Sequence, residues 1–131
     1  MTPERRAEGL AAAARCRRAA LLELGETIAA RGQVELVERP APQTVMLELS
    51  SAVGAFCLGE AVVSTARVTV AGDAGFACVL GFDAEAALAA ALADAAGGAA
   101  VDELAGSALA DEQRERLRDD HDVAATRVTL G

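Results

Sequence analysis

The N-terminal part of the chain has its apolar residues at helical spacing. Thr2 suits a helix N-cap and Pro3 the first helical position, while Gly32 suits the C-terminal cap. The polar run 15–18 interrupts the segment, so we predict two helices with a bend near these residues. The apolar residues fall three, four or seven positions apart, on one helical stripe: Leu10, Ala14, Leu21, Leu24 and Ile28.

The middle of the chain changes from a period near 3.6 to a period near 2. Four segments read as strands: Val34–Arg39, Thr44–Ser50, Val62–Val70 and Phe76–Leu80. The third of them is the strongest β-branched run in the chain. We expect all four to pair in one antiparallel sheet.

Turn residues separate these predicted strands. Pro40 and Pro42 indicate a turn, because proline fixes φ and restricts the residue before it. We further predict a loop over Ser51–Ala55 and a hairpin turn over Ala71–Gly75. Gly59 lies where a β-bulge is expected.

Helices return after the last predicted strand. Asp83 is a suitable N-cap for a helix over Ala84–Ala96, which is nearly all Ala and Leu and is therefore expected to be buried on several sides. A last helix is predicted over Asp102–Ala125, with an interruption near Gly106, and Thr126–Leu130 is predicted to be extended. Grouped strands between helices predict an α+β fold: a four-stranded antiparallel sheet with helices at both chain ends packed on it. We expect residues 1–131 to form one domain.

Alanine dominates the apolar composition. The chain has 131 residues, of which 33 are Ala, so the 53% hydrophobic fraction implies a thin core. An Ala contributes much less on burial than a Leu. We therefore expect the apolar faces of Leu10–Ile28 and Ala84–Ala96 to continue into a subunit interface, and the isolated chain to form a homo-oligomer.

Charge excludes several classes of protein. The formal net charge is −8, from +2 over residues 1–31, −3 over 32–82 and −7 over 83–131. Such a chain lacks the basic patch of a nucleic-acid binder. No apolar run is long enough for a membrane span, and the N-terminus has no secretory signal. We therefore expect a cytoplasmic protein. Three irregularly spaced cysteines fit neither a disulfide framework nor a zinc site: Cys16, Cys57 and Cys78.

Motifs for catalysis are absent from the sequence. Without Lys there is no phosphate-binding P-loop. The single His, His121, lies within Asp119–Asp122, but adjacent helical residues point in different directions and cannot converge on one metal ion. Cys57 and Cys78 are interpreted as small buried apolar residues. We expect no catalytic residue, no cofactor and no metal.

Two arginines lie among the predicted strands of an acidic chain. Arg39 or Arg67 could bind a phosphate or a carboxylate through two hydrogen bonds. A surface salt bridge to a cross-strand Glu is the favoured interpretation.

A collinear set of short motifs resembles a known family. Phe56–Ser64 reads FCLGEAVVS, similar to the pattern F-x-L-G-E-A-x-V-T. Glu38–Pro40 supplies an Arg before a turn, Val79–Gly81 follows in order, and Ala91–Ala95 reads ALADA. Ala125–Val128 reads ATRV. This order and spacing resembles the PhnG family, the small subunit of the bacterial carbon–phosphorus lyase core complex.

The sequence departs from the family pattern at two positions and at its end. Thr65 and Phe82 stand where the family usually has Arg. The chain stops at Gly131, where the family usually continues with an aromatic tail, so it looks like a divergent or truncated member. The resemblance marks these residues as a candidate interface or structural motif: Arg39, Pro40, Phe56, Gly59, Glu60, Ser64, Gly81 and Arg127.

The resemblance implies an accessory role in phosphonate catabolism. Family members assemble with the larger subunits of the core complex, which helps to replace the adenine of ATP by a phosphonate, giving ribose 1-phosphonate 5-triphosphate. The catalytic centre of that transferase step is thought to lie largely in the PhnI-type subunit. An independent α+β module, either a homodimer or a small-ligand binder with no enzymatic role, is the alternative.

Overall fold

A computed structural model describes the backbone of residues 1–51 and 54–130 and the side chains of residues 1–46 and 59–119. Helices precede and follow a group of strands, so the fold is α+β, as the sequence predicts. In chain order the elements are α1 Pro3–Cys16, α2 Arg18–Ala30, β1 Val34–Ser51, β2 Gly54–Val70, β3 Asp73–Leu80, α3 Ala84–Ala96 and α4 Ala99–Leu130.

The first helix begins as the sequence predicts, and the second ends one residue earlier, with Arg31 as its C-cap and Gly32 after it at a φ of 81°. The Thr2 hydroxyl accepts a hydrogen bond from the Arg5 backbone N–H at 3.2 Å, and Pro3 occupies the first turn. Arg17 has non-helical dihedral angles, φ −139° and ψ 46°, and separates α1 from α2. This confirms the predicted bend within the polar run.

The predicted four-stranded sheet is wrong. The sheet has three antiparallel strands in the order β1-β2-β3, and the first two predicted strands are parts of one long strand, β1. Pro40 and Pro42 lie inside β1, with Pro42 opposite Ser64 on β2. Because β1 is an edge strand, proline is tolerated there. The register shifts near these residues, so the prolines mark irregular pairing instead of a turn.

Strand β2 confirms the bulge predicted at Gly59. Leu47 pairs with Gly59, whereas the next residue, Glu48, pairs with Cys57, so β2 carries one extra residue. Gly59 has a φ of 139°, which few other residues adopt. The predicted loop over Ser51–Ala55 is too long, because Ser51 pairs with Gly54; residues 52 and 53 lie outside the described residues.

A two-residue turn joins β2 to β3. Val70 pairs with Asp73, and the intervening Ala71 and Gly72 have φ angles of 51° and 90°. Positive φ at both positions defines a type I′ turn. The predicted hairpin is therefore present but tighter than expected, since β3 already begins at Asp73.

Helix α3 forms the centre of the molecule. It packs on β2 and β3 with one side and on α2 with the other, while α1 packs on α4. Eight of its residues are buried, which confirms the burial predicted from its composition. Asp83 is its N-cap, as predicted, accepting a hydrogen bond from the Ala86 N–H at 3.2 Å.

Helix α4 is longer than the sequence predicts. It runs without interruption past Gly106, and Thr126–Leu130 belongs to it, so the predicted extended end is wrong. A β-branched run forms a strand only where a neighbouring strand completes its hydrogen bonds.

Close approach of small residues replaces bulk in this core. A Cβ added at Gly9 would lie 2.5 Å from the Ala105 Cβ, and one at Gly25 would lie 2.8 Å from the Ala89 Cβ. Leu10, Leu21 and Ile28 are at most 2% exposed. The apolar faces expected to continue into a subunit interface are therefore buried within the chain's own core.

Candidate functional site

A buried serine joins the sheet to the start of α3. Ser64, 3% exposed on β2, donates its hydroxyl hydrogen to the Gly81 carbonyl oxygen at 2.7 Å and accepts from the Asp83 N–H at 2.9 Å. The Gly81 N–H in turn donates to the Val62 carbonyl at 2.8 Å. Gly81 has a φ of 88°, which allows the chain to turn sharply from β3 into α3.

An ion pair extends this junction to α2. The Arg18 Nε and Nη2 atoms donate to the two Asp83 carboxylate oxygens at 2.9 and 3.0 Å. The Arg18 hydrogen bonds hold the pKa of Asp83 below its usual range, with a smaller contribution from the Ala86 N–H. Two of the residues marked by the resemblance, Ser64 and Gly81, therefore meet at one point where β2, β3, α2 and α3 come together.

The chemistry of this junction is structural. Both Ser64 hydrogen bonds go to backbone groups, so its hydroxyl is not positioned against a base that could activate it. The Asp83 carboxylate is occupied by Arg18 and by the N-terminus of α3. The arrangement can fix the angle between sheet and helix, and it offers no nucleophile.

The sheet face opposite α3 carries the second group of candidate residues. Paired residues share a face, so Glu38, Arg67 and Phe76 form one row across the three strands. The Arg67 Nε lies 3.7 Å from Glu38 Oε1, and its guanidinium carbon lies 4.8 Å from the centre of the Phe76 ring. The predicted cross-strand salt bridge is thus confirmed for Arg67. Arg39 makes no ion pair with any residue whose side chain the structure describes.

Further along the same face, a polar pair is followed by exposed apolar residues. Thr65 is 7% exposed and accepts a hydrogen bond from Gln43 at 3.0 Å. Leu80 is 70% exposed and Phe82, two residues later, is 80% exposed. Both departures from the family pattern, Thr65 and Phe82, therefore lie on this face or at its end. Sequence reasoning assigned Leu80 to a strand and missed that it is exposed.

The remaining marked residues are not brought together with Ser64. Arg39 is exposed and Pro40 half-buried on the β1 edge, and Glu60 is exposed on β2 beside the Gly59 bulge. Phe56 pairs with Leu49 in the β1–β2 ladder, and Arg127 lies on α4. The side chains of Phe56 and Arg127 lie outside the described residues.

The described cysteines and potential metal ligands do not form a reactive site. No group of metal-ligating side chains occurs among the described residues, and the His121 side chain lies outside them. Burial raises the pKa of the Cys16 thiol, which disfavours the reactive thiolate. Cys78 is exposed, so its interpretation as a buried residue is wrong: it lies on the sheet face that no helix covers. The Cys57 side chain is outside the described residues.

Charged pairs across the helical layer explain the uneven charge along the chain. Arg6 contacts Asp102 at 2.8 Å, and Arg17 contacts Asp111 at 2.6 Å. Arg15 adds contacts to Glu112 and Glu115. The basic N-terminal helices therefore bind acidic α4. The opposite net charges of residues 1–31 and 83–131 were the available signal in the sequence.

These features define a class: a small α+β protein whose described polar side chains hold its elements together and which presents one uncovered sheet face. A family model described as phosphonate metabolism protein PhnG matches residues 4–130. The chain therefore belongs to the PhnG family, a family of phosphonate metabolism. No curated protein matches it significantly. None of the helices in the described part of the chain is both long and apolar enough to span a membrane.

Proposed function

We propose that this chain is an accessory, non-catalytic subunit of the carbon–phosphorus lyase core complex, working in the cytoplasm. In that role it supports the formation of ribose 1-phosphonate 5-triphosphate from ATP and a phosphonate. The observation that carries the proposal is the exposed apolar surface formed by Leu80, on the sheet face opposite α3, and by Phe82 just after the strand, in a chain of the PhnG family. Large exposed apolar patches are typical of binding surfaces.

The hydrogen bonds and ion pairs of the polar side chains are consistent with an accessory, non-catalytic subunit. Among the described residues, no buried side-chain nitrogen or oxygen lacks a hydrogen-bond partner. Arginines and carboxylates of the helical layer neutralise one another, and Ser64 bonds only to backbone. Catalytic sites usually hold groups whose pKa is shifted towards the operating pH, whereas the ion pairs of the described helical layer lower the pKa of Asp83, Asp102 and Asp111.

Co-expression tests this proposal directly. The tagged chain is expressed with and without the PhnI-type subunit of its own organism, and purified at physiological salt. We expect the two proteins to elute together at a fixed ratio, and the chain alone to release no adenine from ATP in the presence of a phosphonate. A chain that elutes alone, as a homodimer or with a bound small molecule, would favour the independent-module alternative.

A further inference from the structure

The uncovered sheet face is the first part of a continuous exposed surface. Helix α3 covers one side of the sheet, and the residues that point to the other side have no helix above them. Phe76 is 40% exposed and Leu80 70%, and Cys78 between them is exposed as well. We call this surface the open sheet face, defined by Arg67, Phe76, Cys78 and Leu80; the β2 partners of the last two, Thr65 and Val63, are each only 7% exposed.

The second part is a groove that shares Leu80 with the open sheet face. The groove lies between α1 and α4 and has a volume of about 1080 Å³. Its lining is mixed: apolar residues such as Leu80, Leu109 and Leu117 alternate with charged ones such as Arg15, Glu112 and Arg116. Leu117 is 62% exposed. Leu80 thus stands at the corner where a sheet surface becomes a helical groove.

Both edges of the sheet are obstructed, so an added strand is not the expected partner of this surface. On β1, Pro40 and Pro42 have no N–H to donate to an added strand. On β3, the Phe76 N–H donates to the Asp94 carboxylate of α3 at 3.0 Å. Blocked edges of this kind disfavour pairing with a strand of another chain.

The area of the open sheet face is small compared with the area that a stable interface buries. Three strands are about 14 Å wide and the eight residues of β3 about 26 Å long, so the three-stranded face covers about 370 Å². A stable interface buries about 800 Å² on each partner. A second copy that places the same flat face against this one therefore supplies about half of the required area, and it brings together two chains of charge −8.

We infer that the corner at Leu80 is the docking surface for the larger subunit, which lays an apolar surface on the open sheet face and inserts an apolar segment into the α1–α4 groove. This inference rests on the proposed function. The inserted segment carries polar groups for Arg5 and Glu8, which line the groove and form no ion pair among the described residues, whereas the lining residues Arg15, Glu112 and Arg116 already pair with one another. The groove adds contact area to that of the face.

The test compares charge placed on this corner with the same charge placed elsewhere. L80E and F82E each add a carboxylate to an exposed side chain at the corner, whereas A20E adds one to an exposed position of α2 in the helical layer. Affinity for the purified PhnI-type subunit is measured by titration calorimetry. We expect L80E and F82E to weaken binding about 30-fold or more, as hot-spot residues do, and A20E to bind like the wild type.

Circular dichroism of each variant keeps the result interpretable. If L80E alone melts early, F82E carries the comparison, because Phe82 is 80% exposed and lies outside the strands. Wild-type affinity in both variants would overturn this inference while leaving the proposed function intact. Failure of the wild-type chain to bind overturns the proposed function. A homodimer that L80E dissociates, measured by light scattering, would overturn the inference by making the occupant a second copy.

Discussion

Substitution of Gly9 by Ala tests the packing of α1 on α4. A Cβ at this position would lie 2.5 Å from the Ala105 Cβ and 2.6 Å from the Ala105 carbonyl oxygen. Carbon atoms in contact prefer separations of about 3.5–4.0 Å. Because the obstructing carbonyl belongs to the α4 backbone, a side-chain rotation cannot relieve the overlap, and the two helices must move apart.

The expected loss is a difference between two effects. Overpacking costs about 1–3 kcal/mol, while replacing Gly by Ala inside a helix returns about 0.5–1 kcal/mol. Gly9→Ala should therefore lower the free energy of unfolding by about 1–2 kcal/mol. Gly106→Ala on α4 is the matched control, since the nearest atom to its new Cβ is the flexible Met1 Cε at 3.7 Å. It should raise stability by about 0.5–1 kcal/mol.

Urea unfolding followed by far-ultraviolet circular dichroism measures both variants. The chain has no Trp or Tyr, so intrinsic fluorescence is a poor probe. With a slope of about 2 kcal/mol per molar urea, Gly9→Ala should lower the midpoint by about 0.5–1 M and Gly106→Ala should raise it. An increase in both variants would refute the close contact between Gly9 and Ala105.

Three further predictions concern the sheet and its junction with α3. Ser64→Ala leaves the Asp83 N–H and the Gly81 carbonyl without their side-chain partner, so the free energy of unfolding in urea should fall by about 1–3 kcal/mol. Thr27→Ala, at an exposed site, should change the free energy of unfolding little. Equal effects of the two substitutions would contradict a stabilising role for the Ser64 hydrogen bonds. Ala71→Asn suits the positive φ of a type I′ turn better and should raise stability by about 0.5 kcal/mol in the same assay, whereas a decrease would argue against that turn. Because Arg18 lowers the pKa of Asp83, the native state binds fewer protons there than the unfolded state near pH 4. The stability from this pair is complete above about pH 5 and is lost as pH falls through the lowered pKa. In urea titrations between pH 7 and pH 3, the free energy of unfolding should fall less steeply with decreasing pH in Arg18→Gln than in the wild type. An equally steep fall in both proteins would contradict this pH dependence.

Local signals predicted the helices and caps well. Thr2 and Asp83 accept the capping hydrogen bonds expected of them, because capping depends on residues three positions apart. The bulge at Gly59 was equally predictable from one residue. The error at Pro40 and Pro42 arose because a proline pair is compatible with a turn or with an edge strand, and only the position of β1 in the sheet decides between them.

Local sequence signals could not predict contacts between residues that lie far apart in the sequence. The contact between Arg18 and Asp83 and the close approach of Gly9 to Ala105 depend on how the helices pack. The exposure of Leu80 and Cys78 required knowing that helices cover one face of the sheet only. Family motifs marked Ser64 and Gly81 without indicating that they bond to each other.

Growth on a phosphonate as sole phosphorus source tests the central claim most directly. The gene for this chain is deleted from its own organism, and the strain is supplied with the wild-type chain, the A20E variant or the L80E/F82E double variant. We predict that the deletion abolishes growth on phosphonate but not on phosphate, and that the wild-type chain and A20E restore it while the double variant does not. Undiminished growth of the deletion strain on phosphonate would contradict a role for this chain in the complex.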